Sequence, residues 1–162
     1  MPLITTFVRT AVRAAVFAVP RTCIALAGGF SLSVATAQAA VPAPFTGPNL
    51  SGVYDCTGQD AHEGPYTATA TLKLVPSQST GPFGAYLFTL DVPGYGSYPG
   101  HASVRGTQAA IYFALTDQST KDYGTGIASF KKNARGKWTF TKHYFEPEFK
   151  GGNFGDERCI QR

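Results

Sequence analysis

Long helical stripes are nearly absent from this 162-residue chain. No apolar pattern with a helical period persists, and Gly or Pro interrupts the sequence at short intervals, which excludes helical bundles and α/β folds. Nucleotide and metal signatures are missing as well: there is no P-loop, no dinucleotide glycine pattern and no EF-hand loop. No cofactor is therefore expected. Ser103 and Ser129 fall in strand-like segments without a G-x-S-x-G elbow, so the sequence offers no catalytic nucleophile. Acids are missing from residues 1–39, where Arg9, Arg13 and Arg21 stand alone.

That last absence has a direct reading. A basic opening, an apolar run from Cys23 to Val34 and an Ala-x-Ala site at Ala37-Gln38-Ala39 have the order of a secretory signal. The run is too short to span a bilayer as a mature helix. Cleavage after Ala39 is the expectation, with an uncleaved anchor or a mis-assigned start as alternatives. Pro20-Arg21-Thr22 before Cys23 is not the small, apolar run that a lipoprotein site needs. Residues 40–48, including "VPAPFTGP", form a Pro-rich linker, and a single domain follows over 49–162.

Removing the leader changes two quantities. The chain carries 14 basic and 10 acidic residues, so losing three arginines leaves 11 against 10, a net charge of +1. The high isoelectric point then belongs to the leader and gives no argument for nucleic acid or anionic membranes. Three cysteines become two, Cys56 and Cys159, in an oxidising compartment, and a disulfide between them is expected. The address is periplasmic or extracellular.

Period-2 alternation fills the rest. "YTATATLKL" places Tyr66, Ala68, Ala70, Leu72 and Leu74 on one face, and "YLFTLDV" places Tyr86, Phe88, Leu90 and Val92. "IYFALT" gives Ile111, Phe113 and Leu115. "KWTFTKHYF" gives Trp138, Phe140 and Tyr144, with Lys142 as the exception in phase with them. About eight strands are expected, near 51–58, 66–75, 85–92, 101–105, 109–116, 125–132, 137–145 and 154–161. Short connections favour neighbouring antiparallel pairing. A Cys56–Cys159 bridge places first and last strands side by side, which selects an all-β, up-and-down meander closed into a small barrel.

"LSGVYDC", with Gly52-Val53-Tyr54 on the first strand, resembles the opening of the calycins: the lipocalins, avidins and fatty-acid-binding proteins. Their Gly-x-Trp is here Gly-x-Tyr, and the resemblance implies a late basic residue over the ring, for which Arg158 is the candidate. By strand parity, however, Arg158 points away from the face that carries Cys159. The chain also resembles small secreted bacterial proteins of unassigned function, which implies an exported address.

In such a meander the odd connections share one end. They gather Asp60, His62, Glu63, Tyr95, Tyr98, His101, Asp117, Asp122, Tyr123, Glu146 and Glu148. The even connections carry Arg105, Lys132, Arg135 and Lys137. Loops on a rigid barrel are where binding residues sit, so the candidate ligand site is the odd-loop mouth, with Asp60, His62, Glu63, Tyr95, Tyr98, His101, Tyr123, Glu146 and Glu148. His62 between two acids reads either as a base or metal ligand or as a solvated loop histidine, the simpler reading. No two-histidine spacing makes a metal set of His62, His101, Glu146 and Glu148 specific, and no metal is assigned. Tyr95 and Tyr98 among glycines suit stacking on a flat ligand or simple capping of the barrel. Glu146-Pro147-Glu148 has the composition, but no fixed separation, of a glycosidase carboxylate pair. Three functions are compatible with this mouth: a binding protein for a small ligand or protein partner, an inhibitor or envelope interaction module, and a hydrolase or metal-dependent enzyme. Cationic or polyhydroxylated ligands are favoured at an acidic mouth over phosphorylated ones.

Overall fold

The computed structural model describes residues 42–162; the expected leader and its expected cleavage site lie outside the described residues. Eight strands form one closed antiparallel barrel in strict sequence order. They are β1 (Gly52–Asp60), β2 (Gly64–Leu74), β3 (Phe83–Val92), β4 (Gly96–Arg105), β5 (Gln108–Ala114), β6 (Tyr123–Lys132), β7 (Trp138–Glu146) and β8 (Asn153–Gln161). This is the expected architecture, compatible with a calycin-like barrel. β8 closes onto β1 with Cys56 directly opposite Cys159, and the two cysteines are disulfide-bonded with Cα atoms 4.1 Å apart.

The strands reach further than the alternation suggested. β4 begins at Gly96 rather than near His101, so most of "GYGSYPGH" is strand. Pro99 is tolerated because it pairs with Thr89 of β3 but lies beyond the β4–β5 ladder, which starts at Gly100. Its missing N–H therefore costs no ladder bond on that side. β1 likewise runs on to Asp60.

Inward faces follow the predicted parity. Ala68, Ala70, Leu72, Tyr86, Phe88, Leu90, Ile111, Phe113, Phe140 and Tyr144 are all buried. Near the base the rings of Tyr54, Phe130 and Phe140 pack edge-on or tilted with centroids 4.8–6.3 Å apart. The large side chains fit because glycines stand opposite them. A Cβ on Gly58 would lie 2.2 Å from the ring of Tyr66, its cross-strand partner, and one on Gly155 would lie 2.3 Å from the Tyr144 hydroxyl.

The base is closed by the linker. Leu50 is fully buried, its N–H donating to the Tyr86 hydroxyl at 3.1 Å and its carbonyl accepting from the Tyr54 hydroxyl at 2.7 Å. Upstream, the Thr46 N–H donates to the Gly81 carbonyl at 2.8 Å. Tyr54 is thus held by Leu50 and its aromatic neighbours. Arg158 is exposed on the outer face, paired across the ladders with Thr57 and Thr141, so the calycin-like basic partner is not Arg158.

The bridge spans 103 residues of sequence. Its replacement in a Cys56→Ser/Cys159→Ser variant should lower the free energy of unfolding by about 3–4 kcal/mol. Urea denaturation measures this, and a loss below about 1 kcal/mol would show that closure does not depend on the bridge.

Candidate functional site

The open end of the barrel is built by the odd connections, 61–63, 93–95, 115–122 and 147–152. Residues from all four, or from the strand ends that frame them, line one cavity: Glu63, Tyr95 and Phe149 above, Asp60, Tyr98, Asp122 and Glu146 within. Its volume is about 50 Å³. That is room for a few waters or one small functional group.

Below the opening lies a buried polar layer. Asp60 ends the inward face of β1, and its carboxylate is fully engaged. Oδ1 accepts from the His62 and Glu63 amides at 2.8 and 2.9 Å; Oδ2 accepts from the Tyr144 hydroxyl and Asn153 Nδ2, both at 2.7 Å. Burial alone would raise its pKa, but these four bonds together outweigh it and hold the carboxyl below its ordinary value. Asn153 Nδ2 also donates to Glu146 Oε2 at 2.5 Å. Glu146 has little else to stabilise its charge, so burial pushes it up to about 7, helped by the charges of Asp122 and Asp60. Asp122 is 7% exposed. Its Oδ2 accepts from the Tyr98 hydroxyl at 2.9 Å, whereas Oδ1 is buried without a hydrogen-bond partner. Burial raises this carboxyl too, with the hydrogen bond from Tyr98 working against it.

Deeper still, Lys142 and Glu157 form an ion pair at 2.7 Å with both side chains fully buried. The contact is a close charge pair rather than an aligned hydrogen bond, since Lys142 Nζ and Glu157 Oε2 both lack hydrogen-bond geometry. The ammonium also lies 4.8–5.4 Å from the ring centres of Phe113, Tyr144 and Phe88, a favourable arrangement for a desolvated cation. The Tyr66 hydroxyl donates to Glu157 Oε1 at 2.7 Å.

The rim acids are tied to neighbouring loops. Glu63 accepts from the Tyr95 hydroxyl at 2.9 Å and pairs with Lys150. Glu148 pairs with Lys121 at 2.8 Å and accepts from the Tyr123 hydroxyl at 2.6 Å. These partners hold both carboxyls below the usual glutamate range, their hydrogen bonds to Lys150 and Lys121 leading. The His62 ring meets the Gly152 carbonyl at 3.1 Å. The acidity of the mouth thus resides inside it, because the rim acids are matched by lysines.

Of the residues expected at the mouth, the structure brings Asp60, Glu63, Tyr95, Tyr98 and Glu146 onto the one cavity. Three of them differ from the loop positions expected. Asp60, Tyr98 and Glu146 are strand residues that face inward and are buried. Tyr98 is therefore a hydrogen-bonding wall residue, and only Tyr95, 51% exposed, remains an accessible ring. His62 stays at the rim; Tyr123 and Glu148 form a separate latch. His101 sits on the outer face of β4, between Leu87 and Tyr112 in the ladders, away from the mouth. Among the described residues no cluster of three or more His, Cys, Asp or Glu is arranged to hold a metal ion, so His62, His101, Glu146 and Glu148 do not form a centre. Sequence reasoning missed Lys142, Glu157, Asn153 and Tyr66 as site residues. The signal was parity: Lys142 is in phase with Phe140 and Tyr144, and Glu157 with Cys159.

Glu146 gives a pH signature. Its folded pKa, about 7, exceeds the ordinary 4.5, so between those values the folded state holds the extra proton. Stability falls as pH rises through that window. Melts at stepped pH should show wild type losing ground to Glu146→Gln between about pH 5 and 7; parallel curves would contradict the assignment. Lys142→Met should cost about 3–5 kcal/mol by stranding Glu157, and Lys142→Met/Glu157→Gln should recover much of it. A Lys142→Met loss under about 1 kcal/mol in urea denaturation would show the pair to be dispensable. Set against the models of known families and against curated proteins, the chain matches none, and its chemistry is read from these residues alone.

Proposed function

We propose that the protein is an exported binding protein that receives a small ligand, or a side chain of a protein partner, in the acidic mouth of a calycin-like barrel. The observation that carries this reading is the convergence of all four odd connections on one cavity whose polar layer includes an unpartnered carboxylate oxygen, Asp122 Oδ1. The opposite end is filled by Leu50 and sealed by the linker, which leaves the mouth as the entrance. Concave, largely apolar sites with a few convergent polar groups are the usual form of small-ligand sites.

The cavity volume bounds the guest. About 50 Å³ admits a functional group and a short stem at the polar layer, with any larger part of the guest toward the opening. An inhibitor that projects a loop into another molecule is less well supported, because ion pairs and hydrogen bonds tie the rim connections to one another.

Screening small polar fragments by amide NMR should produce shift changes clustered on residues 60–66, 92–98, 113–123 and 144–153. For a fragment that binds, Tyr95→Ala should weaken affinity by about 1 kcal/mol or more if the exposed ring covers it, whereas Arg135→Ala, at the far end, should not. Shifts clustered on the outer wall, or equal effects of both substitutions, would overturn the reading.

A further inference from the structure

The charge balance of the polar layer narrows the ligand class; this step rests on the binding reading above. Asp60, Asp122, Glu146 and Glu157 face one cation, Lys142. Glu157 has Lys142 and the Tyr66 hydroxyl. Asp60 has four donors. Asp122 and Glu146 are left with one donor each, Tyr98 and Asn153. Both carboxyls line the cavity, and Asp122 Oδ1 is buried without a donor. A buried carboxylate oxygen in that state carries a full desolvation penalty.

Two kinds of visitor relieve it. One is a proton held by Glu146 and shared with Asp122, which supplies a single hydrogen bond. The other is a cation with several donors. An ammonium offers three N–H groups on a compact head, and the walls suit an apolar stem behind that head. Leu90, Val92, Phe113, Tyr95 and Phe149 line the same cavity with apolar or aromatic surface. The same barrel already seats one ammonium, that of Lys142, against a carboxylate and three rings.

We infer that the mouth is a receptor for a primary ammonium group on a short apolar or aromatic stem, seated between Asp122 and Glu146 and displacing the proton that the pair otherwise holds. The group belongs either to a free amine or to a lysine side chain of a partner. Guest binding is an exchange: the ammonium enters, one proton leaves Glu146 to solvent, and the cavity's net charge is unchanged. The other groups facing the pair do not exchange near neutrality. Burial keeps the hydroxyls of Tyr66, Tyr98 and Tyr144 protonated, and Asp60 stays ionised, held below its ordinary value.

The test is calorimetric titration of the disulfide-bonded protein with n-butylamine, 2-phenylethylamine, n-butanol and butyrate, and with a lysine-containing peptide beside its Nε-acetylated form. Both amines should bind and the two non-cationic butyl compounds should not at the same concentration. Affinity should fall as pH is lowered from about 8 to 6, approaching tenfold per unit below the Glu146 pKa, because the proton competes. The heat should vary with buffer ionisation by about one proton released per amine bound at pH 6. Glu146→Gln, which mimics the protonated form, should bind weakly at every pH and lose the dependence. Asp122→Asn should lose at least tenfold, with the melting temperature checked for both variants, and Arg135→Ala should match wild type. A free amine that binds while the peptide does not assigns a small-molecule ligand; the reverse assigns a protein partner. Butanol binding as well as butylamine, a pH-independent affinity, or full affinity in Asp122→Asn would overturn the ammonium receptor. A neutral fragment that shifts the mouth residues where the amines fail would overturn it too, while leaving the binding reading standing. No fragment of any charge at the mouth would remove both.

Discussion

Closure of β8 onto β1 is the constraint on which the rest of this molecule depends. Once Cys56 and Cys159 lie opposite each other, eight strands enclose a fixed and narrow interior, and every inward side chain competes for the same space. The sequence meets that limit by alternating large and absent side chains. Gly58 yields to Tyr66 and Gly155 to Tyr144, while a Cβ on Gly126 would come within 3.0 Å of Lys142. These glycines look like strand breakers in one dimension and are spacers in three.

The enclosed volume is divided along the barrel axis. Toward the base, aromatic rings and Leu50 pack together. Toward the mouth, Lys142, Glu157, Asp60, Glu146, Asn153 and Asp122 replace them, all buried. Such a layer is a poor way to gain stability, since a buried ion pair roughly offsets its own desolvation at best, and apolar residues of similar volume often do better. Its arrangement is instead specific. Hydrogen bonds from Tyr144 and Asn153 to Asp60 and the Lys142–Glu157 pair tie β1, β7 and β8 together, and the Asp60 contacts to the His62 and Glu63 amides fix the first rim loop. One buried atom without a hydrogen bond, Asp122 Oδ1, lies beside the cavity at the mouth. That coincidence is why the polar layer reads as a site and not only as packing.

Much of the fold was legible because period-2 alternation survives in every strand and the two cysteines close the meander. The division of loops between two ends followed from topology alone. The site was only half legible. Gly and Pro residues mark strand ends in a linear reading, which puts Asp60, Tyr98 and Glu146 on loops, whereas each is an inward position at the mouth end of a longer strand. Lys142 was visible as a break in an apolar face, yet a lone lysine among aromatics has no meaning until its partner is known. Glu157 is fifteen residues away in sequence and directly opposite on β8. The matching of rim acids by Lys121 and Lys150 depends on loop conformation, for which periodicity carries no signal, and His101 at a predicted loop edge faces outward once β4 is extended.

Asp122 and Glu146 are proposed to be a buried carboxyl pair that shares one positive charge, proton or guest. Direct observation of their side-chain carboxyl carbons by ¹³C NMR across a pH titration tests this most simply. The Glu146 resonance should move with a midpoint near 7, the Asp122 resonance should respond in the same step, and Asp60 should already have ionised below its ordinary value. Independent titration of Asp122 and Glu146 near the ordinary values of solvated carboxyls, about 4, would contradict it.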